Sequence, residues 1–141
     1  MDTVAQHILW LLPMLWLGMV LAISFLEAPL KFRAPGVTLP LGLGIGRLVF
    51  RALNAAEVAL AALLVLAALI VASSPATWSW LGVALTLLAL QILVVRPPLT
   101  RRADRILAGE DLPRSHAHYW YIGVEVAKVV ALLGLAIVAA P

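Results

Sequence analysis

The chain has 141 residues, of which 64% are hydrophobic and 12% are charged, and its mean hydropathy is +1.06. Soluble domains have about 45–50% apolar and about 25% charged residues, so this composition excludes a soluble globular protein and predicts an integral membrane protein. The net charge of +3 does not indicate nucleic-acid binding, because the basic residues flank apolar segments. The absence of cysteine excludes disulfides and thiolate metal sites.

Four apolar segments are long enough to cross a lipid bilayer, which takes about 20 residues of helix. They lie at about residues 4–28, 47–72, 78–95 and 119–140. Their unbroken apolar runs favour helices over barrel strands, which alternate between apolar and polar residues. The sequence therefore predicts an all-α protein, a bundle of four transmembrane helices that forms a single domain over residues 1–141.

Prolines set the expected limits of the first two helices. Pro13 removes a backbone donor inside the first segment and predicts a bend or break, and Pro29 is expected to end the helix. Residues 30–46 contain two prolines and four glycines, which predict an irregular apolar segment at the membrane interface. The second helix is then expected to begin near Arg47.

The third helix is expected between two further turn signals. Residues 73–75 form a short turn before it, and Pro97 with Pro98 is expected to end it. A polar connection follows at residues 99–118, in which residues 101–107 could form a short interfacial helix. The fourth helix then completes the chain.

Nine of the ten basic residues lie close to the first and third connections. These nine are Lys31, Arg33, Arg47, Arg51, Arg96, Arg101, Arg102, Arg105 and Arg114. The tenth, Lys128, lies inside the fourth segment, and the N-terminal tail, the second connection and the C terminus have none. By the positive-inside rule, both basic connections are predicted to be cytoplasmic and both termini non-cytoplasmic.

Polar residues inside the predicted helices recur three or four positions apart, so each set shares one helix face. The candidate ligand-binding residues are Glu27 on the first helix, Arg47, Arg51, Asn54 and Glu57 on the second, Gln91 on the third, and His118, Tyr121, Glu125 and Lys128 on the fourth. A charge in hydrocarbon costs at least about 2.5–3.5 kcal/mol, so these groups are expected to face the bundle interior and to pair. They predict a cytoplasm-facing polar pocket that binds or moves a small anionic or amphipathic molecule or a lipid.

Other interpretations of the same residues stay open. Glu125 and Lys128 are three positions apart and could neutralise each other in a structural network, which would suit an assembly partner of a membrane complex. His116 and His118 could bind metal together with a glutamate, but H-x-H in a loop has no fixed geometry, and no metal site is predicted. The sequence identifies no cofactor and no catalytic residue. Small residues on the fourth helix indicate close packing, with a homo-oligomer face as the alternative.

Two motifs carry a resemblance to a known group of proteins. The first is Ala28-Pro29-Leu30-Lys31-Phe32-Arg33-Ala34-Pro35, continued by Leu39-Pro40, Ile45-Gly46-Arg47, Phe50 and Glu57. The second is Ala108-Gly109, Ser115-His116, His118-Tyr119 and Glu125-Val126-Ala127-Lys128. With them the chain resembles small uncharacterised bacterial four-helix membrane proteins. This resemblance implies the four-helix fold and a bacterial inner membrane, and it implies no activity.

A second resemblance rests on Arg51, Asn54 and Glu57. These residues are similar to a trio on the second helix of the membrane-associated glutathione-metabolising enzymes, which also have four helices. The Asn-x-x-Glu spacing matches, whereas Arg51 lies three residues before Asn54 and that family has its arginine four before. The resemblance implies, as an alternative function, a membrane enzyme with these residues at its glutathione site.

Overall fold

The computed structural model describes residues 2–113 and 116–141. Over these residues the chain is all-α, with four long helices, α1 at Asp2–Arg33, α2 at Leu39–Ile70, α3 at Pro75–Leu107 and α4 at Ala117–Ala139. Each helix is long and apolar enough to cross a membrane. The all-α class and the four long apolar helices predicted from the sequence are therefore confirmed.

The helices pack side by side in their order along the chain. α1 contacts α2 and α4, and α3 contacts α4 and α2, so the four helices close into a ring. Short connections join successive helices, so neighbouring helices run antiparallel. Side chains from every helix fill the centre of the bundle and are almost inaccessible; among them are Leu9, Trp16, Leu64, Leu81 and Leu132.

Pro29 lies inside α1 instead of ending it. The segment Leu21–Glu27 before it is π-helical, and the N–H of Ala28 bonds to the carbonyl of Ile23. A π turn holds one extra residue, which makes room for a proline ring that lacks a donor. The predicted helix end at Pro29 is therefore wrong. Pro13 is likewise buried within a continuous stretch of helix.

α3 has the same arrangement of a π turn followed by proline. The segment Gln91–Val95 is π-helical, and the N–H of Arg96 bonds to a carbonyl five residues back. Pro97 and Pro98 then lie at the start of the next α-helical stretch, Arg96–Leu107, where their missing N–H groups interrupt no bond within that stretch and leave only carbonyls of the preceding π segment without a donor. The prediction that the two prolines end the third helix is wrong, and the predicted short helix in the polar connection exists as the end of α3.

α2 begins at Leu39 rather than near Arg47. The Thr38 hydroxyl caps it by accepting a hydrogen bond from a backbone N–H of the first turn at 3.3 Å. Pro40 occupies this first turn, where its missing donor breaks no bond. The prediction of an irregular segment over residues 30–46 is therefore wrong, since only the short connection between α1 and α2 lacks helical structure.

The basic residues gather at one end of the bundle, here named the basic end. It holds the C-terminal parts of α1 and α3 and the N-terminal parts of α2 and α4. Its basic residues within the described ranges are Lys31, Arg33, Arg47, Arg51, Arg96, Arg101, Arg102 and Arg105. Arg114, predicted to belong with them, lies outside the described residues. α2 has 32 residues and a length of about 48 Å, so in a bilayer with a hydrocarbon core of about 30 Å it reaches the interface.

The packing of α4 on α3 can be tested at Gly134. A Cβ added there would lie 2.5 Å from the rigid indole ring of Trp80. We expect Gly134→Ala to lower the free energy of unfolding by about 1–3 kcal/mol, measured by thermal unfolding in detergent. Gly123→Ala on the same helix is the control, because an added Cβ there meets no described atom within 4 Å. Equal stability of the two variants would contradict the packing.

Candidate functional site

A network of ion pairs and hydrogen bonds lies buried between the four helices, with Lys128 at its centre. Lys128 is completely inaccessible. Its ammonium nitrogen lies 2.5 Å from Glu57 Oε2, 2.5 Å from Gln91 Oε1 and 2.7 Å from Glu125 Oε1. A protonated lysine has three N–H donors, so each donor has an acceptor.

Glu57 is also fully buried, and both of its carboxylate oxygens accept hydrogen bonds. The indole N–H of Trp16 donates to Oε2 at 2.7 Å, and the side-chain amide of Asn54 donates to Oε1 at 2.9 Å. Arg96 in turn donates to the side-chain oxygen of Asn54 and, at 2.8 Å, to the backbone carbonyl of Phe50. One amide therefore links the Arg96 guanidinium to Glu57.

Glu125 is held between the two π-helical segments. Gln91, at the start of one segment, donates to Glu125 Oε1 at 2.5 Å, and Ser24, inside the other, donates to Oε2 at 2.6 Å. α1 and α3 both flank α4, so the two π turns direct side chains from two neighbouring helices toward one carboxylate. Such segments are frequent at functional sites.

The network balances two carboxylates against two cations. Lys128 contacts both Glu57 and Glu125 directly, whereas Arg96 is joined to the network through Asn54. Partly satisfied polar groups in a low-dielectric interior cost free energy, and each carboxylate oxygen here accepts at least one hydrogen bond. This closed arrangement is what a structural network requires, and its stability depends on no ligand.

A cavity of about 570 Å³ lies beside the network, toward the basic end. Ligand pockets in proteins have volumes of about 300–1,000 Å³, so this cavity has the size of a ligand site. All four helices line it, mostly with apolar side chains such as Phe25, Phe32, Leu43, Leu99 and Ile122. Its polar and charged lining residues are Ser24, Lys31, Arg47, Arg96, Thr100, Arg102, His118, Tyr121 and Glu125.

Two of the four Lys and Arg side chains in the cavity wall already have acidic partners. Lys31 Nζ lies 3.7 Å from Glu27, and Arg47 is paired with Asp104. The two that have no carboxylate partner within the described part of the chain are Arg96 and Arg102. An anion that enters the cavity can therefore approach two cations without displacing an ion pair.

The hydroxyl of Tyr121 is a second group that lies unused in the cavity wall. Tyr121 is 8% exposed, and its oxygen lies near the Ser24 hydroxyl, which already donates to Glu125, but it forms no hydrogen bond of good geometry with any residue that the structure describes. The ring packs edge-on against Phe50, with ring centres 5.3 Å apart, and Arg96 binds the backbone of that same phenylalanine. A buried hydroxyl without a partner is unfavourable, so Tyr121 offers a hydrogen bond to a molecule in the cavity.

Two glycines of α2 allow the end of α1 to form part of the cavity wall. A Cβ at Gly42 would overlap the ring of Phe32, and a Cβ at Gly46 would lie 2.8 Å from Lys31 Nζ. The Lys31 ammonium lies 5.6 Å from the centre of the Phe32 ring and 5.8 Å from that of Phe50, within cation–π range. Larger side chains at these two positions would push a cation and an aromatic ring out of place.

The structure divides the ten predicted site residues among three places. Those in the buried network alone are Asn54, Glu57, Gln91 and Lys128. Those that line the cavity without joining the network are Arg47, His118 and Tyr121. Glu125 belongs to the network and also lines the cavity. Glu27 is half-buried beside Lys31, and Arg51 is exposed; neither lines the cavity. A ligand-binding role for these residues stays a prediction.

The set predicted from the sequence lacks several residues of the network and cavity, including Trp16, Arg96 and Arg102 as well as Ser24, Lys31 and Thr100. Trp16 and Arg96 belong to the network, and Arg102 lines the cavity. Arg96 was missed because it follows Gln91 by five positions, and two residues with this spacing do not share one face of an α-helix. The π turn between them changes that spacing. The pairing of Trp16 could have been predicted from the sequence, because a buried indole N–H needs an acceptor and a buried Glu57 carboxylate needs donors.

A comparison of the chain with protein-family models, curated proteins and solved structures finds no match. The resemblances to the bacterial four-helix group and to the glutathione-metabolising enzymes therefore stay predictions. Within residues 2–113 and 116–141, no three His, Cys, Asp or Glu side chains gather where they could hold a metal ion. The functional interpretation consequently depends on the network and the cavity.

The pairing of Lys128 can be tested by removing its charge with and without a compensating change. Lys128→Met leaves Glu57 and Glu125 facing each other without their shared cation, and we expect a loss of about 3–5 kcal/mol in unfolding free energy. Lys128→Met combined with Glu125→Gln removes one of those carboxylates and should be the more stable of the two variants. Thermal unfolding in one detergent compares them, and a less stable double variant would show that the pairing is wrong.

Proposed function

We propose that this chain is a multi-pass protein of a bacterial inner membrane whose cavity binds an anionic amphipathic ligand, such as an anionic lipid. The observation that carries the proposal is the wall of the cavity, in which apolar side chains surround two basic side chains without carboxylate partners and an unbonded tyrosine hydroxyl. An apolar chain and an anionic head group are the two parts of a ligand that match such a wall.

The position of the cavity supports a ligand that comes from the membrane. Residues at the cytoplasmic interface meet anionic head groups, and each basic side chain there contributes about 1 kcal/mol to their binding. Tyr119 and Trp120, at the start of α4, are exposed aromatic residues of the kind that lie at head-group depth. The apolar wall of the cavity lies beside this level, where acyl chains begin.

The enzyme alternative has less support from the geometry. The trio Arg51, Asn54 and Glu57 does not converge on the cavity, because Arg51 is exposed and the other two are bonded within the network. A purely structural role explains the network but leaves the cavity, its cations and the Tyr121 hydroxyl without a purpose. A binding role accounts for the cavity as well as for the network that holds its walls together.

The orientation within the membrane is part of this proposal and can be measured by cysteine labelling. The chain has no cysteine, so single cysteines can replace Ala76, at the start of α3, and Ala108, just after its end; both are exposed. We expect an impermeant maleimide to label the cysteine at position 76 in intact cells, and the one at 108 only after the membrane is opened. The reverse pattern would place the basic end outside the cell.

The contribution of the cavity to binding can be tested at Arg102. We expect Arg102→Gln to weaken binding of phosphatidylglycerol about fivefold, which corresponds to about 1 kcal/mol, when lipid retention is measured by native mass spectrometry. Arg101→Gln is the matched control, because it removes the same charge from an adjacent, exposed residue that does not line the cavity.

Two further ligands test whether the cavity binds a lipid head group or a soluble anion. Phosphatidylcholine, which has no net charge, should bind more weakly than phosphatidylglycerol, and glycerol phosphate, which has no acyl chain, should not compete with it. Equal losses in the Arg101 and Arg102 variants would indicate attraction to the surface alone and would overturn the proposed site. Competition by glycerol phosphate would indicate a soluble anion as the ligand.

A further inference from the structure

The network and the cavity share three side chains, and these define how one can affect the other. Ser24, Arg96 and Glu125 line the cavity, and each also makes a hydrogen bond of the network. Glu57 and Lys128 do not line the cavity. A ligand therefore meets the network at one carboxylate, one hydroxyl and one guanidinium.

The charges of the network balance only if Arg96 is counted. Lys128 offsets one of the two carboxylates, Glu57 and Glu125, and the second is offset by Arg96 through Asn54. Arg96 also faces the cavity and has no carboxylate partner among the described residues. Arg102, the other cation of the cavity wall without a carboxylate partner, lies six residues farther along α3 and makes no hydrogen bond to the network among the described residues. An anion bound beside Arg96 would therefore use the same positive charge that the network needs.

Two negative groups that compete for one half-buried cation raise the free energy of the bound state. In a low-dielectric interior such an excess charge is strongly unfavourable, and the simplest relief is neutralisation by a proton. On the basis of the proposed function, we propose that binding of an anion in the cavity is coupled to the uptake of one proton by Glu125. The bound state then has the same net charge as the empty one.

The hydrogen bonds identify Glu125, and its oxygen Oε2, as the acceptor of this proton. Oε2 accepts a hydrogen bond from the Ser24 hydroxyl, and a hydroxyl can both donate and accept. When Oε2 is protonated, the new O–H can donate to Ser24, whose own hydrogen is then free to turn toward the ligand. The proton comes from the solution through the cavity, which both residues line.

Glu57 lacks this freedom. The donors to its Oε2 are the Trp16 indole and the Lys128 ammonium, and neither group has an acceptor to offer a carboxylic acid. The donor to its Oε1 is the amide of Asn54, whose oxygen is already bound by Arg96. Protonation of Glu57 would therefore break a hydrogen bond without replacing it.

Charged and titratable groups from every helix packed against Glu125 enter this balance. α1 presents the neutral Ser24 and, nearer the basic end, the Glu27–Lys31 pair. α2 presents Glu57 and, in the cavity wall, Arg47 with its partner Asp104. α3 presents Arg96 and Arg102. On α4, the charged or titratable residues that line the cavity or bind Glu125 are His118, Tyr121 and Lys128.

Coupling to one proton sets the direction of the pH dependence. Proton uptake on binding means that acid favours the bound state, so the affinity for a ligand of constant charge falls as pH rises. Where uptake is complete, the dissociation constant changes about tenfold for each pH unit.

The test is calorimetric titration of the purified protein, in a neutral detergent, with decane-1-sulfonate. This amphipathic anion keeps its charge between about pH 5 and about pH 8, so a proton that is taken up belongs to the protein. Titrations in buffers with different enthalpies of ionisation give the number of protons per bound ligand, and we expect about one. Decyl maltoside, a neutral amphipath, should cause no uptake.

Two variants locate the proton. Glu125→Gln should bind decane-1-sulfonate without proton uptake and with little dependence on pH. Glu110→Gln should behave like the unchanged protein, because Glu110 is exposed, pairs with Arg105 and does not line the cavity. Uptake that persists in the Glu125 variant would overturn the assignment of the proton to this residue.

The unchanged protein provides an independent measurement if the Glu125 variant does not fold. Infrared difference spectra should show the carbonyl band of a protonated carboxyl group when decane-1-sulfonate is added. Saturable binding without proton uptake and without this band would overturn the coupling and leave the proposed cavity site intact. Absence of saturable binding would instead overturn the proposed function, and the coupling with it.

Discussion

A lysine ammonium that is removed from water needs an acceptor for each of its three donors, and this requirement organises the interior of the bundle. Lys128 on α4 finds Glu57 on α2, Gln91 on α3 and Glu125 on its own helix. Both glutamates accept hydrogen bonds from further donors, including the Trp16 indole and the Ser24 hydroxyl of α1, and Gln91 itself donates to Glu125. Because a single displaced helix would leave a buried charged group without one of its hydrogen-bond or ion-pair partners, the network selects one arrangement of four otherwise similar apolar helices.

The two π-helical segments make this arrangement compatible with the prolines of α1 and α3. Each segment lies just before a proline, and each contributes one donor to Glu125, Ser24 from α1 and Gln91 from α3. The extra residue of a π turn accommodates the ring and also changes the direction of the following side chains. One local irregularity therefore continues the helix and places a polar group on the interior face.

The cavity exists where the network ends. Toward the basic end, the helices are separated by apolar side chains and by cations, two of which are already bonded to Glu27 and Asp104. Two guanidinium groups there have no carboxylate partner among the described residues, that of Arg102 and that of Arg96, which is bonded only to Asn54 and Phe50, and the hydroxyl of Tyr121 has no hydrogen bond. The network and the cavity that we propose as a binding site are thus adjoining regions, and Glu125, Ser24 and Arg96 lie at their boundary.

The sequence by itself determined the helical class, the four long apolar helices and the concentration of basic residues at one end. These features depend on composition and on periodicity within single segments, which local sequence contains. Only the tertiary structure decided that helices continue through Pro29 and Pro97, that α2 begins at Leu39, and that the ten predicted site residues separate into a closed network, a cavity wall and two that belong to neither. The reason is physical: a proline ends or continues a helix according to the turn before it, and a polar side chain becomes a partner or an unused group only when a second helix is packed against it.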